Sequence, residues 1–177
     1  MEDKKQIRQF IRNEKKLRSA EQLREQSEKI MSLLEMHERF QKAHTVLMYY
    51  ALPDEPATQL RLDKWVETKE ILLPVVVGDD LILRRYMGPD SLAEGAFHIL
   101  EPQGDLFVDY ASVELVVVPG VAFDAQGHRL GRGRGYYDKF LSLPTLRHVY
   151  KLGICFDFQK LEAIPVTSLD IPMDEVL

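Results

Sequence analysis

Residues 116–141 read VVVPGVAFDAQGHRLGRGRGYYDKFL. The run Val113 to Val118, apolar apart from Glu114, has the composition of a strand covered on both faces. A turn-rich loop follows, and from Tyr136 the pattern becomes that of a helix which Pro144 cuts short. Strand, loop and helix in that order are a recurrent layout for phosphate sites. Gly131, Gly133 and Gly135 alternate with Arg132 and Arg134, and Arg129 lies just upstream. Glycine lets backbone N–H groups approach an anion, and arginine supplies planar, permanently charged donors matched to phosphate oxygens. A helix beginning near Tyr136 aims its free N–H groups at the same place. The carboxylate of Asp138 is out of character in so positive a loop, and a magnesium ion bridging it to phosphate oxygens would account for it. Glycine spacing alone also marks plain flexible loops, and the run is neither a P-loop nor a dinucleotide fingerprint.

The rest of the chain predicts the setting. Residues 1–42 read as two helices, the first with Ile7, Phe10, Ile11 and Leu17 near one face, the second capped by Ser19 with Gln22 and striped by Leu23, Ile30, Met31 and Leu34. Lys4, Lys5 and Arg8 read as a solvated face. Thr45 to Tyr50 is a strand, and Ala57 to Lys69 a helix with Leu60, Trp65 and Val66 inward. Tyr50, Asp54 and Glu55 leave the carboxyl end of that strand, where α/β sheets bind ligands, although an acidic residue beside Pro56 equally suits a helix cap. Residues 71–86 read as a hairpin turning at Gly78, with Pro74 marking an edge or irregular position. Residues 87–112 show no sustained period, and Glu101-Pro102 is there an ordinary loop pair. Tyr150 to Phe156 is a further strand, and 159–177 a loop with short extended pieces. His128 reads as a turn residue rather than a base. Alternating strands and helices predict a single α/β domain over 1–177, with a largely parallel sheet and some antiparallel strands.

A chain of 177 residues carrying 45% hydrophobic and 29% charged residues suits one soluble globular domain. Its net charge of −5 argues against a general nucleic-acid or membrane-surface binder. The sole cysteine, Cys155, sits in the apolar run LGICF and reads as buried. A charged N-terminus and the lack of a long apolar run make a cytoplasmic location the expectation, and a monomer is expected although the sequence does not fix the oligomeric state.

The run PGVAFDAQGHRLGRGRGYYD resembles the signature of the 5-formyltetrahydrofolate cyclo-ligase family, also called methenyltetrahydrofolate synthetase. The likeness extends over nearly the whole chain through KKQIR, YYALPDEPAT, ILEP and FDFQKLEAIPVTSLDIPMDEVL. It implies a three-layer α/β fold, with helices on both faces of the sheet, and the ATP- and magnesium-dependent conversion of 5-formyltetrahydrofolate to 5,10-methenyltetrahydrofolate. Lys4 and Arg8 would then contact ATP, along with Arg129, Leu130, Gly131, Arg132, Gly133, Arg134, Gly135, Tyr136 and Tyr137. Tyr50 and Glu55 would be the wall and polar anchor for the pterin, with Glu101 nearby and Arg132, Gly133, Arg134, Gly135 and Tyr136 also near the folate. Asp138 and Asp170 would be linked to the metal, and Arg132 and Arg134 would steady the transferred phosphoryl group. Many members carry an aromatic and a glycine in place of Arg132 and Arg134, and a histidine in place of Leu169. Leu169, with the early end at Leu177, supports a rival expectation: a nucleotide- or folate-binding protein on the same fold without turnover.

Overall fold

The computed structural model describes residues 3–95 and 98–177; Met1, Glu2, Ala96 and Phe97 fall outside it. Helix α1 (Lys4–Lys16) starts on a capping box in which Asp3 accepts from the Gln6 N–H and Gln6 answers to the Asp3 N–H. Helix α2 (Ala20–Met36) opens on the predicted box of Ser19 and Gln22. A third short helix, α3 (Glu38–Lys42), which periodicity over five residues is too brief to reveal, leads into strand β1 (Thr45–Leu47). Helix α4 (Gln59–Trp65) is shorter than predicted and buries Leu62 with Trp65, while Leu60 and Val66 are only half-buried.

Strands β2 (Glu70–Val77) and β3 (Asp80–Arg85) form the predicted hairpin around a two-residue turn at Gly78-Asp79. Strand β2 is not an edge: it pairs parallel to β1 through Glu70 to Leu72 and antiparallel to β3 through Leu72 to Val77. Pro74 is tolerated because it lies past the end of β1, where no neighbour needs its missing N–H. The stretch expected to lack structure holds a two-stranded ribbon, β4 (Leu92–Glu94) and β5 (Leu100–Pro102), and a short strand β6 (Leu106–Phe107). Strands of two or three residues carry too little alternation to be read from sequence.

Strand β7 (Leu115–Val118) is followed by a small hairpin, β8 (Ala122–Asp124) and β9 (Arg129–Leu130), and by helix α5 (Tyr136–Leu141). Strands β10 (Tyr150–Gly153), β11 (Lys160–Leu161) and β12 (Glu175–Val176) complete the chain. The main sheet runs β12-β10-β7-β1-β2-β3-β6, parallel from β12 to β2 and antiparallel thereafter; β11, β8 and β9 form a second sheet.

Alternation along β7 divides the core as a strand covered on both faces must. Leu115 and Val117 face Met31, Leu34, Phe40, Leu62 and Trp65 of α2, α3 and α4. Val116 and Val118 face Phe140 and Leu141 of α5. Helix α1 lies apart from both, burying Ile7 and Ile11 against Val121, Ala122, Leu130 and Ile164. Phe10 and Leu17, expected on that face, are exposed: the helical period turns Phe10 off the Ile7–Ile11 stripe, and Leu17 is the cap beyond the last turn. Cys155 is buried and its thiol is pushed up to about 12 by that burial, so it is no nucleophile.

Candidate active site

The strand order turns at β1: the chain leaves it toward β2 on one side and meets β7 on the other. Crevices outside the carboxyl ends of such strands are where open α/β sheets bind ligands. Two segments meet there, residues 49–58 after β1 and residues 119–138 after β7.

The first segment is held rigidly. The Tyr49 hydroxyl donates to the Pro56 carbonyl at 2.7 Å, Thr58 Oγ1 to the Tyr49 carbonyl at 2.6 Å, and Gln59 Nε2 to the Ala51 carbonyl at 2.6 Å. These bonds present Asp54 and Glu55 to the crevice. Neither carboxylate caps α4, whose N-cap is Thr58 without a side-chain capping bond. Glu55, only 9% exposed, uses Oε2 to accept the Leu52 N–H at 2.9 Å and Oε1 to meet Arg132 Nη2 at 3.0 Å. Asp54 takes the same Nη2 at 2.7 Å and, on its other oxygen, Lys15 Nζ at 3.0 Å.

The second segment starts from the β8–β9 hairpin. Asp124 ties its turn by accepting from the Gln126 and His128 N–H groups, from His128 Nδ1 at 2.8 Å and from the Ile164 N–H, which leaves His128 a turn residue as expected. The hairpin delivers Arg129 into the interior. There Nη1 donates to the Pro119 carbonyl at 3.1 Å, Nη2 stands 3.5 Å from Asp138, and the guanidinium lies 5.3 Å from the Tyr137 ring centre. Its Nε finds no partner among the described residues. Burial lowers the Arg129 value, opposed by Asp138, and the group stays charged. Leu130 turns into the α1 cluster at 1% exposure, so only its backbone faces the loop.

Beyond it, Gly133 and Gly135 take φ of +112° and +71°, a region that side chains rarely enter, and Gly135 opens α5. Helix α1 runs alongside, with Arg8 Nε donating to the Gly131 carbonyl at 2.9 Å and Lys4 Nζ 2.6 Å from Asp170. Arg134 is exposed and forms no ion pair or hydrogen bond among the described residues. Tyr136 reaches the Gly78 carbonyl at 3.5 Å, while burial raises the Tyr137 phenol and keeps it neutral.

Asp138 and Asp170 are brought together: Asp138 Oδ1 accepts the Ile171 N–H at 3.0 Å, one peptide beyond Asp170. No three acidic, histidine or cysteine side chains among the described residues form a metal cage. Both carboxylates are oxygen donors of the kind magnesium takes beside a polyphosphate, and in this structure each is paired with a cation, Asp170 with Lys4 at 2.6 Å and Asp138 with Arg129 at 3.5 Å. Glu101 stays apart, on β5 opposite Ala93 and against Gly95, without a hydrogen bond to Glu55 or the loop. Tyr50 is half-buried, its phenol raised first by burial and then by Asp63. A cleft of about 420 Å³ lined by Asp124, Lys160, Asp174 and Glu175 is mainly acidic and does not suit a polyphosphate.

A model described as the 5-formyltetrahydrofolate cyclo-ligase family matches residues 1–177. The chain belongs to that family. The Escherichia coli (strain K12) 5-formyltetrahydrofolate cyclo-ligase is 28% identical over 174 residues, 95% of this chain and 96% of the relative. The mouse cyclo-ligase is 27% identical over 188 residues, covering 98% and 92%. Among solved structures, the NMR structure of Aquifex aeolicus 5,10-methenyltetrahydrofolate synthetase superposes with a TM-score of 0.83 at 35% identity, covering 98% of this chain and 88% of that one. A Mycoplasma pneumoniae synthetase at 21% identity shares the fold with a TM-score of 0.76.

For this cyclo-ligase family member, sequence reasoning missed Lys15, whose i, i+4, i+11 spacing with Lys4 and Arg8 places all three along one side of α1. It also left Asp54 undecided between ligand and cap. Asp54 and Asp170 both lie below the ordinary carboxylate range. Burial pushes them up, but Arg132 and Lys15 at Asp54, and Lys4 and Thr167 at Asp170, outweigh it. Carboxylates depressed in the folded state add stability that is complete above their unfolded value of about 4 and is lost as pH falls through the folded values. Thermal melts should therefore show melting temperature dropping below about pH 4. Asp54→Asn should flatten part of that drop, and an identical acid limb in the variant would remove Asp54 from the account.

Proposed function

We propose that this site converts 5-formyltetrahydrofolate to 5,10-methenyltetrahydrofolate with ATP and magnesium, releasing ADP and phosphate. On this reading residues 1–177 act as one domain and as a cytoplasmic monomer, with two small-molecule substrates and neither nucleic acid nor a membrane as partner. The observation that carries it is the meeting of Glu55 with the arginine-glycine loop across the β1/β7 crevice, a carboxylate for a pterin beside cations for a polyphosphate.

A formyl oxygen is a poor leaving group. Moving the γ-phosphoryl onto it gives an activated imidate phosphate. The neighbouring folate nitrogen then attacks the formyl carbon, the carbon–oxygen bond breaks, phosphate leaves with that oxygen, and the nitrogen's proton passes to water. Positioning and charge stabilisation suffice for both steps, which agrees with a site that gathers arginine, lysine and backbone N–H groups and has an inert Cys155. Glu55 holds the pterin, with Tyr50 beside it. Lys4, Arg8 and the backbone from Arg129 to Tyr137 hold the polyphosphate. Arg132 and Arg134 face charge growing on the transferred group. Magnesium held by Asp138 and Asp170 would neutralise the polyphosphate.

Purified protein mixed with 5-formyltetrahydrofolate, magnesium and ATP should develop the near-ultraviolet band of the methenyl product, and only when ATP is present. Ligand binding without that band would favour a silent binding protein on the same fold. Asp138→Asn is expected to raise the magnesium concentration needed for half-maximal turnover about tenfold, as loss of one ligand in a shared site does. An unchanged magnesium titration would take Asp138 out of the metal shell.

A further inference from the structure

We propose that Arg132 is a displaceable cap on Glu55, held by Asp54, and that its removal by the incoming folate couples folate binding to nucleotide binding. The inference rests on the cyclo-ligase reading of the site. Glu55 has one oxygen committed to the Leu52 N–H, and the other is covered by Arg132 Nη2 at 3.0 Å. A pterin N–H seeking that carboxylate therefore meets the guanidinium first.

Arg132 is built to leave. Its side chain is 48% exposed, its Nε and Nη1 have no partner among the described residues, and it stands between Gly131 and Gly133. Asp54 is built to stay. Its second oxygen is gripped by Lys15 Nζ at 3.0 Å, and Lys15 is only 12% exposed on a helix anchored by Ile7 and Ile11. Asp54 is thus a positioning residue, a fixed post that keeps the guanidinium over Glu55 until a ligand replaces it there.

Whichever substrate binds first must draw Arg132 off the carboxylates, the folate by taking Glu55 or the nucleotide by offering phosphate oxygens. The second then finds the guanidinium already released. Linkage makes the benefit equal in both directions.

The test is calorimetric titration of the whole chain with 5-formyltetrahydrofolate and with a non-hydrolysable ATP analogue, each alone and in the presence of the other. In the wild type each ligand should tighten the other by roughly 5- to 20-fold, within the usual range of coupling between sites. In Asp54→Asn, folate alone should bind about 3- to 10-fold tighter and the mutual tightening should shrink accordingly. In Arg132→Gln, folate alone should also bind tighter while the nucleotide analogue binds more weakly, a pair of opposite changes that no general loosening of the fold produces. Folate affinity unchanged or weakened in both variants would overturn the cap. Methenyl product formed by the wild type keeps that failure separate from one of the cyclo-ligase reading itself, which falls if no product forms.

Discussion

Arg134→Ala is expected to lower turnover roughly a hundredfold, on the order of 3 kcal/mol of transition-state stabilisation, while leaving the melting temperature within about a degree of the wild type. The separation of the two effects comes from its surroundings. Arg134 is exposed and carries no hydrogen bond or ion pair among the described residues, so truncating it strands no buried group and breaks no packing. Its flanking residues, Gly133 and Gly135, take positive φ, and Gly135 opens α5, so Arg134 lies on the loop just ahead of that helix, where the proposed reading puts the polyphosphate. Arg132→Ala should lose turnover by a similar factor. Steady-state rates from the methenyl absorbance settle the matter, and near-normal turnover in both variants would show that neither guanidinium serves the phosphoryl step.

The largest effect on stability is expected from Phe123→Ala, about 3–5 kcal/mol, the usual range for deleting a fully buried phenylalanine ring. Phe123 is 0% exposed and belongs to the cluster with Val116, Val118, Phe140 and Met173. Its ring fills a slot made by two glycines: a Cβ on Gly120 would lie 2.7 Å from Cζ, and one on Gly153 only 2.6 Å from Cε1. The two glycine walls offer no side chain of their own to fill the vacated space, which leaves Met173 and Arg129 as the nearest side chains beside them. For a domain of this size such a loss lowers the melting temperature by about 10 °C or more. Gly153→Ala should be nearly as harmful from the opposite direction, by forcing a rigid ring to shift. Differential scanning calorimetry on the two variants is the check, and a melting temperature within about 2 °C of the wild type in either would refute this packing.

The parts of the molecule visible in its sequence were those with long periods or strong punctuation. The Ser19–Gln22 box, the apolar β7 run, the β2–β3 hairpin and the halt at Pro144 each depend on residues close together in the chain. The glycine-arginine loop was legible for the same reason. The encounters of Arg132 with Asp54 and Glu55 were not, since the partners lie 78 and 77 positions apart and only the strand order decides that the loops after β1 and β7 are neighbours. Pro74 misled because proline reports a missing donor, and an interior strand that outruns its partner tolerates that as well as an edge does. Strands β4, β5 and β6 were hidden by their brevity. Phe10 and Leu17 show the converse: the helix pattern predicted a buried face, but only Ile7 and Ile11 meet the second sheet, Phe10 being turned aside and Leu17 lying past the helix end.

The position of β1 between β2 and β7 also shapes how the molecule assembles. Val46 pairs with Ile71, 25 residues away, and with Leu115, 69 residues away. Local contacts form first, and distant ones wait on the closure of long loops. As the chain is synthesised, β1, β2 and β3 can come together while β7 is still to be made, leaving one edge of the central strand bare. The crevice does not exist until β7 closes that edge, and its Asp170 side comes later still. Catalytic competence is therefore the last property this chain acquires, and a stalled or truncated product would hold a sheet without a site.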